Sequence, residues 1–333
     1  MRTSSHTLPA IVLLSAALLL SACAEESLGP PECDAALRDG AAAGSWIRVE
    51  PGSFTMGVNK DFYQWYFVDR GNASEVREQM RATITRPYVA MATEVTNEMW
   101  DDVFDANPTF VLECPTCPVE FVRRADALMF ANALSERDGL TPCYDLSRCT
   151  GEPGTRVASC PADIVFDLEC EGYRLPTAGE FEYLARAGTT TSHHCGELQL
   201  YERDQCLHDH EWTGDNWRLR ERYPAGALEV QPVATLCPND WGFYDVGGNV
   251  AEHVWDVRST DLPEPWAEEV VDPIRPLIPG ESPSFQHVGD TYNGGILGLA
   301  ASGAVASIPA NSSLETLKPI GFRLVRTVPV GER

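Results

Sequence analysis

The residues with the most chemical potential stand in one short stretch, WGFYDVGGNVAEHVWD, residues 241–256. Asp245 and Glu252 bring two carboxylates, with Gly247 and Gly248 between them. A hard cation such as calcium takes six to eight oxygens, from carboxylates and backbone carbonyls alike. Asp245 and Glu252 can supply charge, while Gly248 and Val250, two residues apart, can each turn a carbonyl inward. Glycine tolerates positive φ, so the pair allows the chain to bend around an ion. The same spacing also suits a tight turn with solvated acids, and the residues alone leave both readings open.

Other groupings have metal or redox potential. Cys114-Pro-Thr-Cys117 is a C-x-x-C, either a redox pair or a local structural disulfide. No thioredoxin-like βαβ pattern surrounds it, which favours the disulfide. His193-His194-Cys195 and Cys206-x-His208-x-His210 offer imidazole and thiolate ligands of the kind zinc takes. The competing reading is a Cys195–Cys206 disulfide with histidines on an acidic surface. The acid pairs Asp101-Asp102 and Glu268-Glu269 read as solvated, and the eight tryptophans as core.

The chain of 333 residues carries a net charge of −24, which repels nucleic acid and argues against such a partner. Residues 1–22 read as a signal peptide: Arg2, then the apolar run Ala10–Leu20, too short to span a bilayer. The run ends in Leu-Ser-Ala-Cys23, which resembles the lipobox of bacterial lipoproteins and makes Cys23 the lipidation site. The expectation is a protein of the bacterial cell envelope, tethered to the membrane by acyl chains on the extracytoplasmic side, in the periplasm or at the cell surface. Ten cysteines remain after Cys23, an even number that reads as disulfides in an exported protein. Cys195–Cys206 and Cys149–Cys160 are plausible short loops.

Residues 23–44, acidic and rich in Pro and Ala, read as a flexible tether, and residues 45–328 as the folded domain. Strands are expected on both sides of the Pro51-Gly52 turn. PYVAMATEVTNEMWDDVF predicts a strand running into a helix capped by Thr96 or Asn97. VRRADALMFANALSERDGL predicts the clearest helix, stopped by Gly139. In GYRLPTAGEFEYLARAG, Thr177 and Glu180 form a capping box and Gly188 ends the helix. Few helices are expected beyond it, so the fold class is α+β.

The segments PGSFTMG, ATEVTNEMW, ADALMFANALSERDGLTPCY, GYRLPTAGEFEYLARAG, NDWGFYDVGGNVAEHVWD and IGFRLVR occur in this order. Together they resemble the sulfatase-modifying-factor family, the formylglycine-generating enzymes, over about Trp46 to Thr327. The resemblance implies a single compact α+β domain, low in regular structure and similar to C-type lectins. It implies a calcium site at Asp245, Gly248, Val250 and Glu252. It also implies an oxidase that turns a substrate cysteine into formylglycine through two copper(I)-binding cysteines. Counting on from the Tyr292-Asn293-Gly294-Gly295-Ile296 turn by the family spacing puts Leu299 and Ala304 at those cysteine positions. No cysteine follows Cys237, and no arginine stands between Arg275 and Arg323. Leu299 and Ala304 cannot hold copper, since that soft ion wants thiolates. The expectation is therefore a calcium-stabilised binding module for a peptide, protein or glycan ligand, without copper. The alternative is a formylglycine-type oxidoreductase with a rewired site.

Overall fold

The computed structural model describes residues 33, 44–57, 79–197, 205–214, 229–258, 269–274, 284–289, 291–292, 306–309 and 318–329. Contacts divide the chain into Met1–Pro30 and Pro31–Arg333, and every described residue lies in the second unit. Cys23, the tether apart from Cys33 and Gly44, Leu299 and Ala304 lie outside the described residues.

Strands β1 (Trp46–Val49) and β2 (Gly52–Met56) flank Pro51, as the turn signal predicts. They part there and join different sheets. Strand β1 pairs antiparallel with β4 (Tyr88–Met91), which pairs with β11 (Val325–Thr327), itself paired with β5 (Tyr173–Arg174). This sheet is buried on both faces, and neighbouring residues on a strand point to opposite sides. Ala90 and Val325 enter a cluster with Val49, Tyr88, Phe181, Leu184, Phe243 and Val254. Their neighbours Met91 and Leu324 enter the other, with Trp100, Phe130, Leu175, Trp255 and Phe322. Trp100 stacks on Phe130, and Trp255 on Tyr144.

The helices seal these two clusters. Helix α1 (Asn97–Asp101) starts at Thr96, whose hydroxyl accepts from the Met99 N–H at 3.3 Å. Helix α2 (Arg124–Arg137) lays Phe130 and Leu134 on the first cluster, and Gly139 ends it with φ +74°. Helix α3 (Ala178–Arg186) carries the expected capping box. The Thr177 hydroxyl accepts from Glu180 N, and the Glu180 carboxylate accepts from Thr177 N at 2.8 Å. That carboxylate also holds both Arg174 Nη atoms at 2.7 Å, so one acid caps a helix and ties it to β5. The chain turns left-handed one residue before the expected stop, at Ala187 with φ 48°. Helix α4 (Gln205–His210) is short.

A second sheet runs β10 (Ile320–Gly321), β6 (Ala251–Arg258), β8 (Ser284–Val288), β9 (Ala306–Pro309); a third joins β2, β3 (Met80–Ile84) and β7 (Glu269–Val271). Strand β6 follows directly on the glycine-rich loop and carries Glu252. Five disulfides close the loops: Cys33–Cys237, Cys114–Cys117, Cys143–Cys170, Cys149–Cys160 and Cys195–Cys206. They use all ten cysteines that follow Cys23. Small sheets, short helices and long disulfide-closed loops make the α+β architecture that the sequence predicts. No helix among the described residues is long and apolar enough to cross a membrane.

Candidate functional site: a buried acid cluster beside three histidines

The loop from Asp245 to Val250 is held from three sides. Asn249 donates its backbone N–H to Trp212 O and exchanges side-chain bonds with the backbone of Gln231 at 3.0 Å. The left-handed residues are Asp245 (φ 52°) and Asn249 (φ 62°). This differs from the expectation that the glycines take positive φ. Gly248 is needed for space instead: a Cβ there would stand 2.6 Å from Trp212 O. Asp245 and Asn249 bear the strain because a short polar side chain tolerates the left-handed region.

Asp245 and Glu252 are both buried, and their carboxylates are treated differently. Asp245 Oδ2 accepts from Ala234 N at 2.9 Å, while Oδ1 is buried with no hydrogen-bond partner. Glu252 is engaged by Arg323, which donates from Nε at 2.9 and 2.8 Å and from Nη2 at 2.6 Å. The same guanidinium reaches the carbonyls of Ala92 at 3.3 Å and Tyr244 at 2.9 Å. Sequence spacing pairs Glu252 with Asp245 across the loop. The fold instead delivers a cation to Glu252 from the β10–β11 connection, 71 residues on.

A third acid completes the cluster. Glu94 is fully buried; its Oε1 accepts from Val250 N at 3.3 Å, and its Oε2 has no partner. Burial drives the Glu94 carboxyl well above the usual range, and repulsion from Asp245 and Glu252 drives it further. Burial likewise lifts Asp245 to about 7, with Glu211 and Glu252 adding to the effect and the Ala234 N–H opposing it. Three carboxylates thus share one guanidinium. Asp245 Oδ1 and Glu94 Oε2 are two buried carboxylate oxygens without a hydrogen-bond partner, an arrangement that costs stability unless another group meets them.

Glu211 links this cluster to a second one. Its Oε2 accepts from Gly247 N at 3.0 Å. Its Oε1 faces His193 Nε2 at 3.1 Å and His194 Nε2 at 3.4 Å. The two rings lie 4.1 Å apart, and His210 meets His194 edge-on at 4.7 Å. Burial opposes ionisation of Glu211, but the two imidazoles outweigh it and hold the acid down at about 2. Burial and the neighbouring His193 push His194 down to about 3. The cysteines of this region form the Cys195–Cys206 disulfide that the sequence allows, so they offer no thiolate. Cys114–Cys117 is also a disulfide, with Cys117 buried against Val230.

Glu94, Glu211 and Arg323 escape a reading by spacing. Glu94 and Arg323 sit inside the ATEVTNEMW and IGFRLVR segments, which is the one sequence signal that singles them out.

The sulfatase-modifying factor enzyme 1-like domain model matches residues 35–328. Among curated proteins, the chain is 31% identical over 176 residues to a chaperone protein LppX of Paenibacillus barcinonensis, covering 50% of this chain and 61% of that protein. It is 32% identical over 162 residues to the formylglycine-generating enzyme of Mycobacterium tuberculosis, covering 48% and 51%. The matched region thus spans about half to three-fifths of the curated relatives' length. Among solved structures, Treponema denticola variable protein 1 superposes with a TM-score of 0.64 at 23% identity, over 86% of this chain and 98% of that one. PvdO of Pseudomonas aeruginosa superposes with a TM-score of 0.54 at 18% identity, over 86% and 99%. These structural likenesses speak to the fold. With the family model covering most of its length, the chain belongs to the sulfatase-modifying factor enzyme 1-like domain family.

Proposed function

We propose that this protein is a lipid-anchored, extracytoplasmic binding module, stabilised by calcium and without oxidase activity. One observation carries the non-catalytic reading: every cysteine after Cys23 is held in a disulfide. The family's oxidation of a substrate cysteine needs thiolates for copper(I), and this chain keeps none for that purpose. The Leu299 and Ala304 positions offer only hydrocarbon. Five disulfides also suit an oxidising compartment outside the cytoplasm, in keeping with the Cys23 lipobox. In place of catalysis, the module would bind a peptide, protein or glycan. The likeness to a protein named as a chaperone agrees with binding rather than turnover.

Calcium would be held by Asp245 Oδ1 and Glu94 Oε2, the two buried oxygens without partners, together with the Gly248 and Val250 carbonyls. Glu252, committed to Arg323, would border the ion and share its charge between the two cations. The ion would neutralise the cluster and fix the Asp245–Val250 loop, a structural service with no chemical step.

The test is a calcium titration of the full chain in detergent, followed by thermal unfolding. Saturating calcium is expected to raise Tm by roughly 5–10 °C. The double variant Asp245→Asn, Glu94→Gln should fold and show no such rise. An equal rise in the variant would place calcium elsewhere and remove it from this loop.

A further inference from the structure

We propose a second metal site, for zinc or a similar borderline divalent cation, formed by His193, His194 and Glu211 with His210 alongside. It is separate from the calcium reading in both its ligands and its chemistry.

The geometry points there first. A tetrahedral ion with ligands at 2.0–2.1 Å sets neighbouring ligand atoms about 3.3 Å apart. His193 Nε2 and His194 Nε2 stand 3.1 and 3.4 Å from the same Glu211 oxygen. Two imidazole nitrogens from adjacent residues thus meet one carboxylate oxygen, each at a distance that a pair of tetrahedral ligands also takes, and ligand atoms of His193, His194 and the disulfide-bonded Cys195 lie within 4.8 Å of one another. The His193, His194 and Glu211 side chains are at most 4% exposed. Nitrogen and oxygen donors from two His and one Glu are a ligand set that zinc accepts, with one position to spare.

The surroundings orient these ligands. Glu211 Oε2 is pinned by Gly247 N, which leaves Oε1 facing the histidines. His210 Nδ1 lies 3.1 Å from the Cys237 carbonyl, which can only accept, so that nitrogen carries the proton. Nε2 of a neutral His210 is then the lone-pair nitrogen, the arrangement by which an outer hydrogen bond fixes a metal-ligating tautomer. His193 Nδ1 lies 2.9 Å from Cys195 Sγ, so its Nε2 is the atom aimed at Glu211. The Cys195–Cys206 disulfide ties the His193–Gly196 turn to α4, holding the two halves of the site together without a metal.

The experiment is zinc titration by calorimetry on the full chain in detergent, first freed of transition metals with phenanthroline and kept in saturating calcium. The expected result is one zinc per chain with a dissociation constant below micromolar. His194→Gln and Glu211→Gln should each weaken binding ten-fold or more, while His253→Gln, with its imidazole on Val122 O, should not. Cobalt(II) substitution is the second readout. It should give tetrahedral d–d absorption with no thiolate charge-transfer band, a signature that altered folding cannot produce. Sub-stoichiometric or millimolar binding in the wild type overturns the site. So does zinc binding that both variants retain, or a thiolate band. Loss of the calcium effect described above would leave these outcomes untouched, so the two readings fail independently.

Discussion

Replacing Arg323 by Met is expected to destabilise the protein by about 3–5 kcal/mol, because it leaves the buried Glu252 carboxylate with no counter-charge. Arg323 is fully buried and is the guanidinium shared by Glu252, Glu94 and Asp245. Its removal also frees the Ala92 and Tyr244 carbonyls from their side-chain donor. Chemical denaturation in the absence of calcium measures the loss. Arg323→Lys should not restore stability, since one ammonium cannot serve Glu252 and two distant carbonyls together. Adding Glu252→Gln to Arg323→Met should recover part of the loss, because it removes the charge left stranded. A loss below about 1 kcal/mol for Arg323→Met would mean that Glu252 is already neutral or solvated. Glu252 would then not be the charged partner of Arg323 described here.

The second large effect is a pH dependence of calcium stabilisation. Burial raises Asp245 from 3.8 to about 7, and Glu94 moves in the same direction. The folded, calcium-free protein thus binds more protons than the unfolded chain across this window. Stability contributed by these acids is present below pH 3.8 and is lost as pH rises towards 7. For Asp245 alone the loss has a ceiling of roughly 4 kcal/mol. Bound calcium favours the ionised acids and opposes the loss. The rise in Tm on adding calcium should therefore be small near pH 4.5 and largest above pH 7. Burial lowers His253 and His287 to about 4 and 3, so they cost stability in the other direction, as pH falls below 6.5. They are common to both states, and the difference between calcium-loaded and calcium-free curves removes them. A calcium increment that does not change between pH 4.5 and 7.5 would contradict the raised acids.

The sequence makes the scaffold legible where the signal is local. Thr96, the Thr177–Glu180 box and the Gly139 stop act within four residues, and each does in the fold what its spacing implies. The Cys149–Cys160 and Cys195–Cys206 loops are short enough to read, whereas Cys33–Cys237 joins residues 204 apart and is not. The acid cluster is legible only in part, because its balance is set by distant pairs. Spacing shows Asp245 and Glu252 as equals. The fold gives Glu252 to Arg323 and leaves Asp245 near enough to repel Glu94, which lies about 150 residues earlier. The glycines read as a bend, but Gly248 serves close approach to the Trp212 backbone. Backbone clashes between loops far apart in sequence leave no mark on local spacing. The histidines are visible as a group, while Glu211 looks like one more acid on a chain of charge −24. Only the packing of α4 against the His193 turn makes it their shared partner.

The most direct test of the account is chemical. The full chain, in detergent with calcium, would be incubated with copper(I), oxygen and a cysteine-containing peptide of the sulfatase type, beside an active family enzyme. Mass spectrometry would follow conversion of cysteine to the aldehyde. The account predicts no conversion, because every cysteine after Cys23 is closed in a disulfide and the positions expected to bind copper are Leu299 and Ala304. Aldehyde formation above the enzyme-free control would contradict it and would make this chain an oxidoreductase with a rewired site.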